Sequence, residues 1–536
     1  MKVAILAALL VTLGVAPTLR PTLTTHVPAA VAHGSVAVAG APARTQVMEL
    51  AISLPLRNEA QLRAQIRALY DPTNPAYRRF LDVEEFTELY GPEEADYRAL
   101  LQFAGAYNLH AHALAANRRV LDVEGTVADV ERAFHVTIRL YREPGDGRIF
   151  YAPDREPTLD LAVPVLHVSG LDNAVVPSAR LVRGNDFDAA GHLQTGSGPR
   201  GNFIGSDVRA AYYGGSALTG TGQSVGLFEY AGYNLADVAN YFRQVRQRQR
   251  VPIIGVSVNG ASLTCIAPKC DDAEQVLDIE EAISMAPGLR SAVVYVGTND
   301  VSILNAMASD DGSKQLSCSW GWRPDAIVID PIFEEFAAQG QSFLVATGDD
   351  GYHLKAGAVW PADDELVTAV GGTDLTTAGP AGPWQSEVGW SYSGGGPSPD
   401  GIAIPAYQTP FINAQNDGSK TLRNVPDIAG DADTDNYSCY DLGCSTGNGG
   451  TSYAAPLWAG YIALANELAA ALDKPPVGFL NPTLYTLGAR SNYAALFHDQ
   501  ISGYNGKYSA VPGFDLVTGF GTPDGDVLLR ALVLGR

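Results

Sequence analysis

Ser452 stands in the string Gly449-Gly450-Thr451-Ser452-Tyr453-Ala454-Ala455-Pro456, directly ahead of an apolar run over residues 457–468. A glycine pair that leads into a helix can expose a serine at the helix N-terminus, where free N–H groups and the helix dipole favour developing negative charge. The plain alternative is that Thr451 or Ser452 only caps the helix, and caps far outnumber nucleophiles. A serine nucleophile also needs a proton acceptor. Of the nine histidines only His353 and His498 lie beyond residue 201, and His498 follows the serine in sequence. A second candidate acceptor lies in Asp271-Asp272-Ala273-Glu274-Gln275-Val276-Leu277-Asp278-Ile279-Glu280-Glu281. Val276, Leu277, Ile279 and Ile283 make a helical apolar stripe, and Glu274 and Asp278, four apart, stack on one face. Close like charges raise one pKa; the ordinary alternative is a solvated acidic face.

The elements that must hold these residues divide the chain. Its 536 residues exceed what one hydrophobic core organises, and 46% hydrophobic against 18% charged residues make it globular. Apolar runs at 224–230, 291–297, 315–321, 342–348 and 366–371 alternate with helical segments. Near-continuous hydrophobic strands of this kind predict an α/β domain, a parallel sheet flanked by helices, with ligands beyond the strand carboxyl ends. Glu229, Ser319, Trp320 and Asp349 fall at those ends. Upstream, residues 47–182 read as an α+β unit with helices over 59–69 and 92–107, strands over 119–123 and 136–141, and a helical turn at 128–134. A Gly-, Asp-, Asn- and Ser-rich stretch follows, an exposed linker open to proteolysis.

Met1 and Lys2 precede an apolar run over 3–15 that is too short to span a bilayer. This is the pattern of a signal peptide, cut after Ala32 (Ala30-Val31-Ala32) or near Ala16, and no later segment reads as a membrane anchor. The expected boundaries are a signal peptide over 1–32, an α+β domain over 33–183, a linker over 184–200 and an α/β domain over 201–536. Secretion permits disulfides. Cys265/Cys270 and Cys439/Cys444 form two equally spaced local pairs; bridges are favoured over zinc because the spacing is not C-x2-C and no histidine is near. Cys318, inside a strand-like run, reads as a buried free thiol. The formal charge of −22 argues against nucleic-acid and anionic-membrane partners. Charge alone does not separate simple solubility from adaptation to acid.

The string from Gly450-Thr451-Ser452 to Pro456 is similar to the nucleophile motif of the subtilisin-like fold, but His353 lacks the H-G-T-H surroundings of a subtilisin base. With Glu274 and Asp278 in place of that base, the chain resembles the sedolisins, the serine-carboxyl peptidases, and kumamolisin-type members in particular. Further motifs run in the family's order: Ser319-Trp320-Gly321, Thr347-Gly348-Asp349-Asp350-Gly351, Val370-Gly371-Gly372-Thr373, Gly394-Gly395-Gly396 and Val425-Pro426-Asp427. Asp71-Pro72-Thr73-Asn74-Pro75-Ala76-Tyr77, Phe80-Leu81 and Val123-Glu124-Gly125-Thr126 resemble the family's activation prodomain. The resemblance implies a subtilisin-like catalytic domain preceded by an α+β prodomain, and a secreted zymogen that cuts itself in acid within residues 184–205. It assigns Ser452 as nucleophile, Glu274 as general base and then acid, and Asp278 as its orienting partner. Asp349 would serve the oxyanion, for which it must carry a proton. Glu229 and Trp320 match positions that extend the acidic chain beside the triad.

Near the C-terminus, Phe497-His498-Asp499-Gln500-Ile501-Ser502-Gly503 and Val511-Pro512-Gly513-Phe514-Asp515 resemble the family's calcium loop. The implied ligands of one structural ion are the carboxylates of Asp499 and Asp515 and the carbonyls of Gln500, Val511 and Gly513. The implied partners are protein or peptide substrates and the chain's own prodomain, acting as an intramolecular inhibitor on a monomer. Endo- and tripeptidyl-peptidase modes stay open. The chain departs from the family pattern where Gly449 precedes Gly450-Thr451, where Thr347 stands, and where Asp350 adds a carboxylate beside Asp349. Two other functions compete. A binding protein that had lost catalysis predicts a broken catalytic position, and none is found. A histidine-dependent subtilisin would use His353 and work at neutral to alkaline pH.

Overall fold

Residues 120–126 alternate buried apolar side chains with less buried ones, the period of a strand covered on one face. The computed structural model describes residues 23–184, 195–323, 326–352 and 359–535, so residues 1–22 of the expected signal peptide, 185–194 of the linker, and His353 lie outside the described residues. The N-terminal domain runs β1 (Val47–Ser53), α1 (Glu59–Leu69), α2 (Glu94–Ala106), β2 (His110–Ala111), β3 (Val120–Thr126), α3 (Val127–Phe134) and β4 (His167–Ser169). Its antiparallel sheet has the order β2-β3-β1-β4. Thr126 caps α3 by accepting from the Asp129 N–H at 3.2 Å. The strand expected over 136–141 forms at Ile138–Arg142 but joins a separate sheet with Ala37–Gly40 and Ile149–Pro153.

The second domain runs β5 (Ser224–Glu229), β6 (Ile253–Ser257), α4 (Ala273–Met285), β7 (Ser291–Val296), β8 (Gln315–Cys318), β9 (Ser342–Ala346), β10 (Thr368–Thr377), β11 (Trp384–Gly389), β12 (Ile428–Asp431) and α5 (Thr451–Ala471). The sheet order is β6-β7-β5-β8-β9-β10-β11, with β12 also on β10. The pairings are parallel except β10 with β11. The continuous apolar runs have a direct cause, because both sheet faces are covered. Val225, Leu227, Leu344 and Ala346 pack with Trp458, Tyr461 and Ile462 of α5. Phe228, Leu316, Phe343 and Val345 pack on the opposite face with Ile303, Leu304, Ile332 and Phe333. Strand order reverses between β5 and β8, which opens a crevice at their carboxyl ends.

The N-terminal domain docks on that second helical layer. Ala51 of β1 and Val120 of β3 enter its apolar cluster. Arg119 and Glu335 form a buried ion pair at 3.5 Å, and Asn117 Nδ2 donates to Glu335 at 3.1 Å and to Asn305 Oδ1 at 2.9 Å. These extra hydrogen bonds offset part of the cost of removing both charges from water.

Candidate active site

Every residue of α4 is buried, the carboxylates included, because α5 and the sheet cover the helix. The acidic face is therefore not solvated. Glu274 and Asp278 point at the carboxyl ends of β5 and β8 and meet Glu229, the last residue of β5. Trp320 Nε1 donates to Glu229 Oε2 at 2.9 Å, and Ser319 Oγ donates to Asp278 Oδ1 at 2.8 Å. Asp278 and Glu229 lie close enough to act on each other, and burial raises both. At the other end of the row Ser452 Oγ comes close enough to Glu274 to favour its charged form, without the alignment of a strict hydrogen bond. Burial first, then neighbouring carboxylates, hold Glu274, Asp278 and Glu229 well above the ordinary range. Three buried carboxyls in a row cannot all ionise, so the site stores protons next to the serine hydroxyl. Ser319, whose role is not evident from sequence, is a further member of the row; its signal was its position at a strand end.

Asp349 follows β9 and lies beside the start of α5. Its Oδ1 accepts from Thr451 N at 2.8 Å and Thr451 Oγ1 at 2.9 Å. Burial pushes its pKa up to about 7 against those hydrogen bonds and the nearby Arg180 charge. Residues 178–184 lie in the crevice, and Ser452 N donates to the Arg180 carbonyl oxygen at 3.1 Å. A Cβ on Gly450 would overlap that oxygen and lie 2.8 Å from Asp349 Oδ2, so both groups converge on one point. With φ of 120°, Gly450 is also in a conformation other residues avoid. Ser452 N–H and Asp349 thus lie beside one backbone carbonyl, that of Arg180.

The C-terminal loop brings its expected residues together. Asp499 Oδ2 accepts from Gly513 N at 3.0 Å, and Asp515 Oδ2 accepts from Val511 N at 3.0 Å. The Gln500 side chain turns away to donate to Glu387 at 3.1 Å, which leaves only its backbone carbonyl for a ligand role. Burial raises Asp499 and pushes Asp515 up to about 7, and no basic side chain is among the groups acting on either. A buried carboxylate, Asp515, and a half-buried one, Asp499, beside backbone carbonyls fit a hard cation. Among the described residues no cluster of three His, Cys, Asp or Glu side chains forms a metal site; most ligands named above are carbonyls. Cys265–Cys270 and Cys439–Cys444 are disulfides, and Cys318 is buried and free. His498 stacks on Trp384 at 4.0 Å, within the C-terminal loop region.

Known proteins resemble this chain over much of its length. The pro-kumamolisin activation domain family matches residues 34–174. Kumamolisin of Bacillus sp. (strain MN-32) is 33% identical over 86% of this chain and 87% of its own. Sedolisin of Pseudomonas sp. (strain 101) is 28% identical over 89% of this chain and 86% of its own. The solved structure of Pseudomonas sedolisin, a serine-carboxyl proteinase complexed with two molecules of pseudo-iodotyrostatin, matches with TM-score 0.54 and 26% identity over 64% of this chain and 99% of that one. The chain belongs to the sedolisin family of serine-carboxyl peptidases. It is a serine-type peptidase whose N-terminal domain is an activation domain and intramolecular inhibitor.

Proposed function

We propose that the protein is a secreted, acid-active endopeptidase made as a self-processing zymogen, with Ser452, Glu274, Asp278 and Asp349 as its catalytic residues. One observation carries this reading: a peptide carbonyl lies between the Ser452 N–H and Asp349, with Glu274 behind the serine hydroxyl. Ser452 Oγ attacks the carbonyl carbon and passes its proton to Glu274, which returns it to the leaving nitrogen. Asp278 positions Glu274 and, with Glu229 and Trp320, buffers its charge. Chain on both sides of the bond supports internal cleavage. Entry of residues 26–27 into the prodomain, where His26 Nε2 accepts from Val168 N at 3.0 Å, supports signal cleavage near Ala16 over cleavage after Ala32. Among the described residues no helix is long and apolar enough to cross a membrane.

The pH profile tests the role of Asp349. As pH rises through about 7, Asp349 loses the proton it donates, and a carboxylate then repels the oxyanion. Activity on a peptide substrate is therefore expected in acid and to fall on approach to neutrality. Asp349→Asn keeps a donor without a titrating proton and moves the alkaline limit upward; Asp349→Ala lowers kcat by about 10²–10³ in acid, where the wild-type side chain carries its proton. An alkaline limit unmoved in the Asn variant rules out this source of acid dependence. A histidine-dependent enzyme would instead gain activity toward neutral and alkaline pH.

For the C-terminal loop we assign one structural calcium ion to Asp499, Asp515 and the carbonyls of Gln500, Val511 and Gly513. Bound calcium would neutralise the two carboxylates and stiffen the loop. Chelation is expected to lower the Tm of the Ser452→Ala precursor, by about 2.7 kcal/mol of stability where calcium stood at about a hundred times its Kd. Unchanged melting with chelator would remove the assignment.

A further inference from the structure

We propose that Arg180–Leu181 is the first bond this enzyme cuts, and that its cleft selects chains with one arginine before the cut bond and another at the third position after it. The proposal rests on the peptidase reading of Ser452 above and adds the substrate class. Residues 178–184 lie in the crevice as an extended strand. Ser178 and Ala179 pair antiparallel with Gly321 and Trp320. Arg180 N donates to Ser319 O at 3.0 Å, and Val182 exchanges backbone hydrogen bonds with Gly449 at 2.8 and 2.9 Å. Between these two anchors, the carbonyl that accepts from Ser452 N is that of Arg180. Arg180–Leu181 lies upstream of the 184–205 stretch in which the sequence alone places the cut.

The side chains on either side of the bond are held by different means. Arg180 is buried, and its pocket is walled by residues without side chains. A Cβ on Gly321 would overlap the guanidinium, and one on Gly348 would lie 3.3 Å from Nη1. Desolvation opposes the buried cation, and the neighbouring acidic groups, Asp349 first and then Asp350, Cys318 and Glu274, oppose that penalty where they are ionised. Asp350, a departure from the family pattern, thereby gains a physical role. On the far side, Arg183 donates to Asp271 Oδ1 at 2.6 Å, lies 3.7 Å from Asp441 and sits 5.1 Å over the Tyr440 ring. Asp271 directly follows Cys270, and Tyr440 and Asp441 directly follow Cys439, so each disulfide loop contributes part of this clasp.

In the first cut, Ser452 Oγ bonds to the Arg180 carbonyl carbon and its proton passes to Glu274. The Arg180–Leu181 C–N bond breaks as Glu274 returns that proton to the Leu181 nitrogen. Water then hydrolyses the Ser452 ester, which leaves a carboxylate on Arg180, Leu181 as a new N-terminus, and Ser452 restored.

The full-length precursor, moved from neutral to acidic buffer, is sampled early by N-terminal sequencing and intact mass. Leu181 is expected as the first new N-terminus; another first N-terminus overturns the assignment of the bond. The acid-activated enzyme is then given internally quenched peptides of sequence 176–186, native or with Arg180→Ala or Arg183→Ala. Each change is expected to lower kcat/KM by at least about tenfold, and Asp271→Asn enzyme is expected to lose the preference for Arg183. Equal cleavage of native and alanine peptides overturns the substrate class. Precursor carrying Ser452→Ala separates the two readings. If it is inert while wild type cuts elsewhere, only this proposal fails; if it cuts as fast as wild type, the peptidase reading fails as well.

Discussion

Ser452→Ala is expected to leave the precursor uncut after a shift to acid and to lower peptide turnover by a factor on the order of 10⁶. The size of the loss follows from the role: without Oγ there is no covalent step, and the remaining donors only polarise a carbonyl. The change should not disturb folding. Ser452 Oγ is buried and makes no strictly aligned hydrogen bond, so its removal costs only its loose approach to Glu274. A thermal melt equal to that of wild type, measured beside an electrophoretic time course at low pH, isolates chemistry from stability. Processing of the alanine variant at the wild-type rate would end the assignment.

Glu274→Gln is expected to lower kcat by about 10⁴, because an amide of the same shape cannot accept the serine proton. Its effect on stability should be small or favourable. Burial and the charge of Asp278 already hold Glu274 well above the ordinary carboxyl range, so a neutral side chain relieves the site of a penalty. The double variant Ser452→Ala/Glu274→Gln should be no slower than the poorer single variant, since the two groups act as a unit. Additive losses in that comparison would show that Glu274 acts elsewhere.

Much of the fold is legible in the sequence because strands covered on both faces leave continuous apolar runs. The runs at 224–230 and 291–297 end within a residue of Ser224–Glu229 and Ser291–Val296. The run at 315–321 ends early, at Cys318, because Ser319 and Trp320 turn to bond Asp278 and Glu229 while Trp320 and Gly321 pair with Ala179 and Ser178. The run at 366–371 becomes the longer Thr368–Thr377, whose polar end is held by antiparallel β11 and parallel β12. In the first domain the helix over 59–69 is found at Glu59–Leu69. Strand Ile138–Arg142 left the main sheet, and no local pattern records which of two partners a short strand will take.

The serine and the carboxylates show where local information ends. The sequence by itself determined which residue types stand at Ser452, Glu274, Asp278, Asp349, Glu229 and Trp320, and their order along a recognisable set of motifs. An acidic run such as 271–281 reads equally well as a solvated face, since residue spacing carries no record of what packs against a helix. Only the tertiary structure decided that α5 and the sheet bury α4 whole, and burial is what raises the carboxyl pKa values. It also decided that residues 178–184 lie across the serine. That placement comes from contacts between segments far apart in the chain, whose energies no single stretch of sequence contains.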